Sequence, residues 1–301
     1  MNKSYKQNFI RAGELAGQVR SFGKALIKAG ASYSEVLHKI RHKIFELGAI
    51  PAFPPQIALN EVAAHFLLRP NEDIVFSDQV VKLDVGVCYQ GAIGDCAVTI
   101  DLSGKHQKLV DAAEAALLQA EQIVKVGLPI REIGRVIEET IKSHGFRSIK
   151  NLSGHGLGPY KIHTSPTIPN YDDYSKGVIK PGMTFAIEPF ATDGSGLIYE
   201  EGRAAIFSLL STRPPRSETA RLLLTKIRTF NGLPFATHDL LDGKTPLLQV
   251  ELGLAELLKS GSIAGYGPLI EEKGGLVAQA ENSVLVDEDG QVTITTRALT
   301  P

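Results

Sequence analysis

The chain has 301 residues, room for one large domain or two ordinary ones, and its apolar (43%) and charged (22%) fractions are those of a soluble globular protein. With 32 basic and 33 acidic residues the formal net charge is −1, which leaves no general electrostatic case for DNA or a membrane surface as partner. The polar start MNKSYKQNFIRAGE lacks a signal-peptide core, no apolar run approaches membrane-spanning length, and Cys88 and Cys96 read as reduced thiols of a cytoplasmic protein.

Ile10, Leu15, Val19, Phe22 and Leu26 recur near the helical period and predict a helix over 8–30, stopped by Gly30. A second helix is expected from Ser34, as N-cap, to Gly48, burying Val36, Ile40, Ile44 and Leu47. His38 and His42 have the spacing of a zinc-binding pair. They lie on the opposite, wet face, however, and Lys39 stands where H-E-x-x-H has its glutamate, so they read as surface histidines. Three prolines exclude helix from 50–60, and NEVAAHF then brings His65 just ahead of the next segment.

That segment, VVKLDVGVCYQGAIGDCAVTID over 80–101, reads as two alternating strands. A two-residue loop at Tyr89-Gln90 or at Gln90-Gly91 closes the hairpin, and in both registers Asp84 and Asp95 share a face. The other face is apolar. Two carboxylates on a small-residue face repel in a dry site and call for a cation between them, whereas on a solvated face they need none. The hairpin alone leaves both open.

A helix is predicted over 105–126, and Pro129 opens another ending at Gly145, so helix pair and strands occur twice in a weak two-fold echo. The glycine-rich NLSGHGLGPYKIHTSPT, 151–167, carries His163 and, in a glycine-rich turn, His155. It lacks phosphate-loop spacing, and its glycines suit close backbone approach to a crowded site. MTFAIEPF, 183–190, is expected to be a strand bearing Glu188, and 276–286 a strand bearing Glu281, followed by a last strand over 291–296. Between them, 209–266 changes character to a compact helical insertion whose scattered arginines fit a solvated face.

Asp84, Asp95, Glu188 and Glu281 interrupt apolar strands and, with His155, make an oxygen-rich donor set suited to divalent Mn, Fe, Co or Zn. LDVG…GDCAVT, SGHGLGPYKIH, AIEPF and AQAENSVLV resemble the motifs of methionine aminopeptidases over essentially the whole chain. The insertion and the lack of an N-terminal extension resemble the short, archaeal-like form of type 2. The resemblance implies an α+β pita-bread (creatinase/aminopeptidase) fold with pseudo-two-fold halves, 1–208 with 267–301, and a winged-helix-like insertion, 209–266. It implies two divalent ions: Asp84 chelating one, Asp95 and Glu281 bridging, His155 and Glu188 completing the other shell. A bridging water or hydroxide would attack the scissile carbonyl, with Glu188 as proton shuttle, His65 near the leaving nitrogen and His163 at the oxyanion.

Matching positions make Phe53, Ile162, Phe190 and Tyr266 the methionine pocket. The implied partners are N-terminal Met peptides and nascent chains with a small second residue, the ribosome being a further candidate for a monomeric, cytoplasmic enzyme. Asn282 stands where the family commonly has His, and by alternation it points away from the metal face. An X-Pro aminopeptidase or prolidase shares fold and ligands, and a non-catalytic binding relative shares the fold; both stay open at this point.

Overall fold

The computed structural model describes residues 3–297. In its first half, helices Lys3–Leu26 and Tyr33–Glu46 cover a sheet made by Val80–Tyr89, its hairpin partner Ala92–Asp101, Gln56–Leu59 and Ile50–Pro51. Leu15, Val19, Ile40 and Ile44 from the helices meet Leu83, Val85 and Val87, the apolar alternates of the hairpin. In the second half, helices Gln107–Ile123 and Ile130–Ser143 lie on a sheet ordered Val292–Ile294, Asn282–Val286, Thr184–Ile187, Ser153–Gly158 and Lys161–Pro169. There Leu117, Ile133, Ile137 and Ile141 pack on Phe185, Ile187, Val284 and Val286. A helix pair on a sheet thus occurs twice. The oily face of each sheet is spent on its own helices, and the opposite faces meet.

Segment 206–266 closes around a separate core. Strands Ile206–Leu209, Phe235–Ala236 and Ile263–Tyr266 join helices Glu218–Arg228 and Leu247–Lys259, with Phe207, Leu224, Phe235, Val250 and Leu257 buried between them. Its content is therefore not purely helical. Arg228 there donates to a backbone oxygen, that of Thr212. Among the described residues no helix is long and apolar enough to cross a membrane.

Several expected boundaries move. The second helix is capped by Ser32, whose hydroxyl accepts from Glu35 N, while Ser34 N donates to Asp73, a tie from 39 positions away. Glu188 and Glu281 sit in breaks between short strands rather than inside long ones: Thr184–Ile187 and Phe190–Thr192 flank the first, Val277–Gln279 and Asn282–Val286 the second. Pro189 explains the first break, since it has no N–H to donate. His155 lies in the strand Ser153–Gly158 and not in a turn.

Candidate metal centre

The hairpin closes through Gln90-Gly91, both with positive φ (51° and 83°), so that Asp84 faces Ala97 and Asp95 faces Gly86. Across the sheet Gln56 pairs with Asp84, and Ala97 forms an isolated bridge with Glu281. Directly opposed residues share a face. Gln56, Asp84, Ala97 and Glu281 therefore make one row over four segments, with Asp95 on the neighbouring diagonal. The methyl of Ala97 leaves the space between the carboxylates open.

Two hydroxyls clamp the seam between the halves. Ser283 Oγ accepts from Asp95 N (2.8 Å) and donates to Asp95 O (2.9 Å). Thr99 Oγ1 accepts from Gln279 N (2.8 Å) and donates to Gln279 O (2.7 Å). Glu188 comes beside Glu281 because Asn282 pairs with Ile187 and Ala280 N bonds Pro189 O.

His155 enters between two glycines that let its strand press on its neighbours. A Cβ at Gly154 would lie 2.3 Å from Ala186 O, and one at Gly156 2.2 Å from Ser165 O. Its Nε2 lies 3.7 Å from Asp95 Oδ2 and 3.5 Å from Glu188 Oε1. Ligand atoms of Asp95, His155 and Glu281 lie within 4.8 Å of one another. Asp84 and Glu188 line the same cleft, which has a volume of about 810 Å³.

Charge is poorly tolerated in this cluster without a counter-ion. Burial pushes Asp84 up to about 7. Burial, and then the neighbouring Asp84, lifts Asp95 well above the usual carboxylate range. Glu188 and Glu281 rise likewise, from burial first and then from Asp95. Burial and the nearby His163 hold His155 down to about 3, so its imidazole is neutral and free to donate a lone pair. Asp84 Oδ1 and Asp95 Oδ1 are buried with no hydrogen-bond partner. Orphaned buried oxygens, mutually repelling carboxylates and one neutral imidazole fit a divalent cation site, since a cation relieves all three penalties.

His163 stands edge-on to His155, ring centroids 4.3 Å apart, at the exposed rim of the cleft. His65 lines the same cleft, held down to about 4 by burial and by His163, with its ring T-shaped against that of Tyr266, centroids 5.9 Å apart. Phe53, Ile162, Phe190 and Tyr266 all reach the cleft wall. Phe53 lies over Gly86, where a Cβ would fall 2.2 Å from its ring, and Tyr266 is fixed through its hydroxyl to Ser208 (3.0 Å).

Asn282 faces away from the carboxylates. Its oxygen accepts from Arg20 (2.8 Å) and Thr296 (2.8 Å), and its nitrogen donates to Glu121 (2.7 Å). Arg20 also holds Glu281 O at 2.9 Å, so the residue before Asn282 is steadied through its backbone. Cys96 turns away too, towards Val85 O, and both cysteines are free.

Sequence reasoning did not find Gln279, whose Nε2 donates to Glu281 Oε2 (3.3 Å), although it stands two positions before Glu281 and so shares its face. It also missed Ser283, Thr99, Arg20 and Gln56, for which no local pattern signals a role.

Two helix-covered sheets enclosing buried carboxylates and an imidazole define a metallohydrolase of the pita-bread class. The chain belongs to metallopeptidase family M24, whose model matches residues 7–288. A methionine aminopeptidase of Thermococcus onnurineus is 42% identical over 288 residues, covering 95% of this chain and 97% of that one. Another, from Archaeoglobus fulgidus, is 41% identical over 299 residues and covers 99% and 100%. The crystal structure of methionine aminopeptidase from Thermotoga maritima superposes with a TM-score of 0.72 at 22% identity, over 98% of each chain, a likeness of fold.

Proposed function

We propose that this chain is a metal-dependent aminopeptidase that releases N-terminal methionine from nascent proteins and peptides whose second residue is small. The observation that carries the reading is the row of Asp84, Ala97 and Glu281, with Asp95 and His155 beside it, at the floor of a cleft with apolar walls. The relatives above about 40% identity over nearly full length support the substrate class.

In this reading Asp84, Asp95, His155, Glu188 and Glu281 hold two divalent ions of the Mn, Fe, Co or Zn kind. When bound, such ions lower the pKa of water and polarise the scissile carbonyl. The chain's own residues do the rest. Glu188, at the edge of the cluster, takes up and passes on the proton released at the attacking oxygen. His163 and His65 enter as neutral imidazoles, able to donate hydrogen bonds towards the developing oxyanion and the leaving nitrogen. Phe53, Ile162, Phe190 and Tyr266 enclose an unbranched thioether and exclude water.

We further read the chain as a type 2, archaeal-like enzyme, with 209–266 as its insertion and 1–208 with 267–301 as the catalytic body. It acts in the cytoplasm as a monomer on emerging chains, with the ribosome as the place of encounter. The test is to assay Met-Ala-, Met-Leu- and Ala-Pro-peptides side by side with Mn or Co. Selective release of Met from Met-Ala- supports the reading. Preferential cleavage of Ala-Pro- would move the chain to the proline-specific branch, and no cleavage with any metal would leave a binding relative.

A further inference from the structure

Two non-glycine residues lining the cleft have a left-handed backbone, Tyr160 (φ +53°) and His65 (φ +59°), and of the two only His65 is a candidate catalytic group. An L-residue there carries a steric cost of roughly 1–2 kcal/mol and needs something to hold it. The imidazole supplies no anchor through Nδ1, which is buried without a partner, and its ring contact is a T-shaped one with Tyr266. The anchor is at the main chain. His65 N donates to Gln56 Oε1 at 2.6 Å, across nine positions that include the tight Asn60 turn.

Gln56 is well placed for this. It is only 6% exposed, it pairs directly with Asp84, and so it stands in the row that carries the carboxylates. A carboxamide on the cleft wall would be a liability if its oxygen were unsatisfied. Here the oxygen is used, and the bond ties the position of His65 to the strand of Asp84.

We propose that Gln56 is a positioning residue for His65: its side-chain carbonyl fixes the left-handed main chain so that the imidazole is held over the carboxylate cluster. The proposal rests on the reading of His65 as a group that meets the substrate. Gln56 itself touches no reacting atom. Its contribution is the geometry of another side chain, and small misplacements of such groups cost turnover more than binding.

The test is a double-mutant cycle on the Mn-loaded protein with a Met-Ala-peptide, using Gln56→Met, Gln56→Leu, His65→Ala and the combinations, with manganese affinity measured by calorimetry for each. Gln56→Met keeps the length and apolar stem but removes the acceptor; Gln56→Leu is a second replacement should the first fold poorly. Either is expected to lower kcat roughly 10- to 100-fold with manganese affinity unchanged, and to cost no more than about twofold once His65 is already alanine. Equal losses in both backgrounds, or a rise in KM at constant kcat, would overturn the positioning role while leaving that of His65 intact. A His65→Ala protein with full kcat would overturn the reading of His65 itself, and the role of Gln56 with it.

Discussion

Asp84 and Asp95 stand on a diagonal across their hairpin, because Asp95 pairs with Gly86 and Asp84 with Ala97. Diagonal neighbours are roughly 7–8 Å apart, against 4.5–5.5 Å for opposed ones. The wider spacing leaves room between the carboxylates, and Glu281, opposite Ala97, faces it from the other half of the molecule. Neither half holds a complete donor set.

Removing one charge from this diagonal is therefore expected to weaken the ions more than the fold. Asp84→Asn relieves carboxylate repulsion, so the metal-free protein should unfold at the same or a higher temperature than the parent. Its manganese affinity should fall by more than the roughly 10–100-fold that loss of an outer support costs. Calorimetric titration alongside a thermal melt checks both. Unchanged affinity would remove Asp84 from the ligand set.

The metal-free protein should show a characteristic response to pH. Asp84, raised to about 7, keeps a proton that the unfolded chain loses near 4, so its contribution to stability falls as pH rises through that window. His65 and His155, lowered to about 4 and about 3, act oppositely: below about 6.5 the unfolded chain takes up protons that the folded one refuses. The two trends offset one another between about 4 and 6.5; above that the carboxylates oppose Lys82, which burial lowers to about 7 and whose contribution to stability rises with pH. Lys82 acts the same with and without metal, so the increase in urea midpoint that manganese gives to chelator-treated protein should grow from pH 6.5 to 8. A manganese-induced increase that shrinks over this interval would contradict the charge picture.

Gly86 leaves room for Phe53, whose ring occupies the space of its missing Cβ. Gly86→Ala must displace that ring from the cleft wall, at a cost of roughly 1–3 kcal/mol for overpacking. The expected result is a higher KM for Met-Ala-peptides with a smaller change in kcat, read from steady-state kinetics, together with a lower melting temperature. A variant with unchanged KM would separate Phe53 from substrate binding.

Arg20 gathers Glu281 O, Asn282 Oδ1 and Thr296 O from one guanidinium. Arg20→Met leaves these acceptors short of a donor in a part-buried place and should cost about 2–3 kcal/mol of unfolding free energy, measured in urea. Manganese affinity should fall with it, since the same bonds steady Glu281. A stability change below about 0.5 kcal/mol would show the network to be dispensable.

The legible and illegible parts of the sequence divide by range. The alternation in 80–101 contains both strands and one of its two allowed loops is the one formed, because side-chain period and turn chemistry are local. The breaks at Glu188 and Glu281 were not anticipated, although Pro189 is a local reason for the first. His155 was expected in a turn because alternating glycines weaken the strand signal; packing against Ala186 O and Ser165 O overrides it. Ser283, Thr99 and Gln56 could not be singled out, since each acts on a partner met only in the fold, 188 positions away for Ser283 and Asp95.

The most direct test of the account is crystallographic. Anomalous scattering from crystals of manganese-loaded protein should reveal two ions roughly 3.5–4 Å apart, contacted by Asp84, Asp95, His155, Glu188 and Glu281. Ions bound elsewhere, or a fully loaded protein in which Glu281 or His155 contacts none, would contradict it.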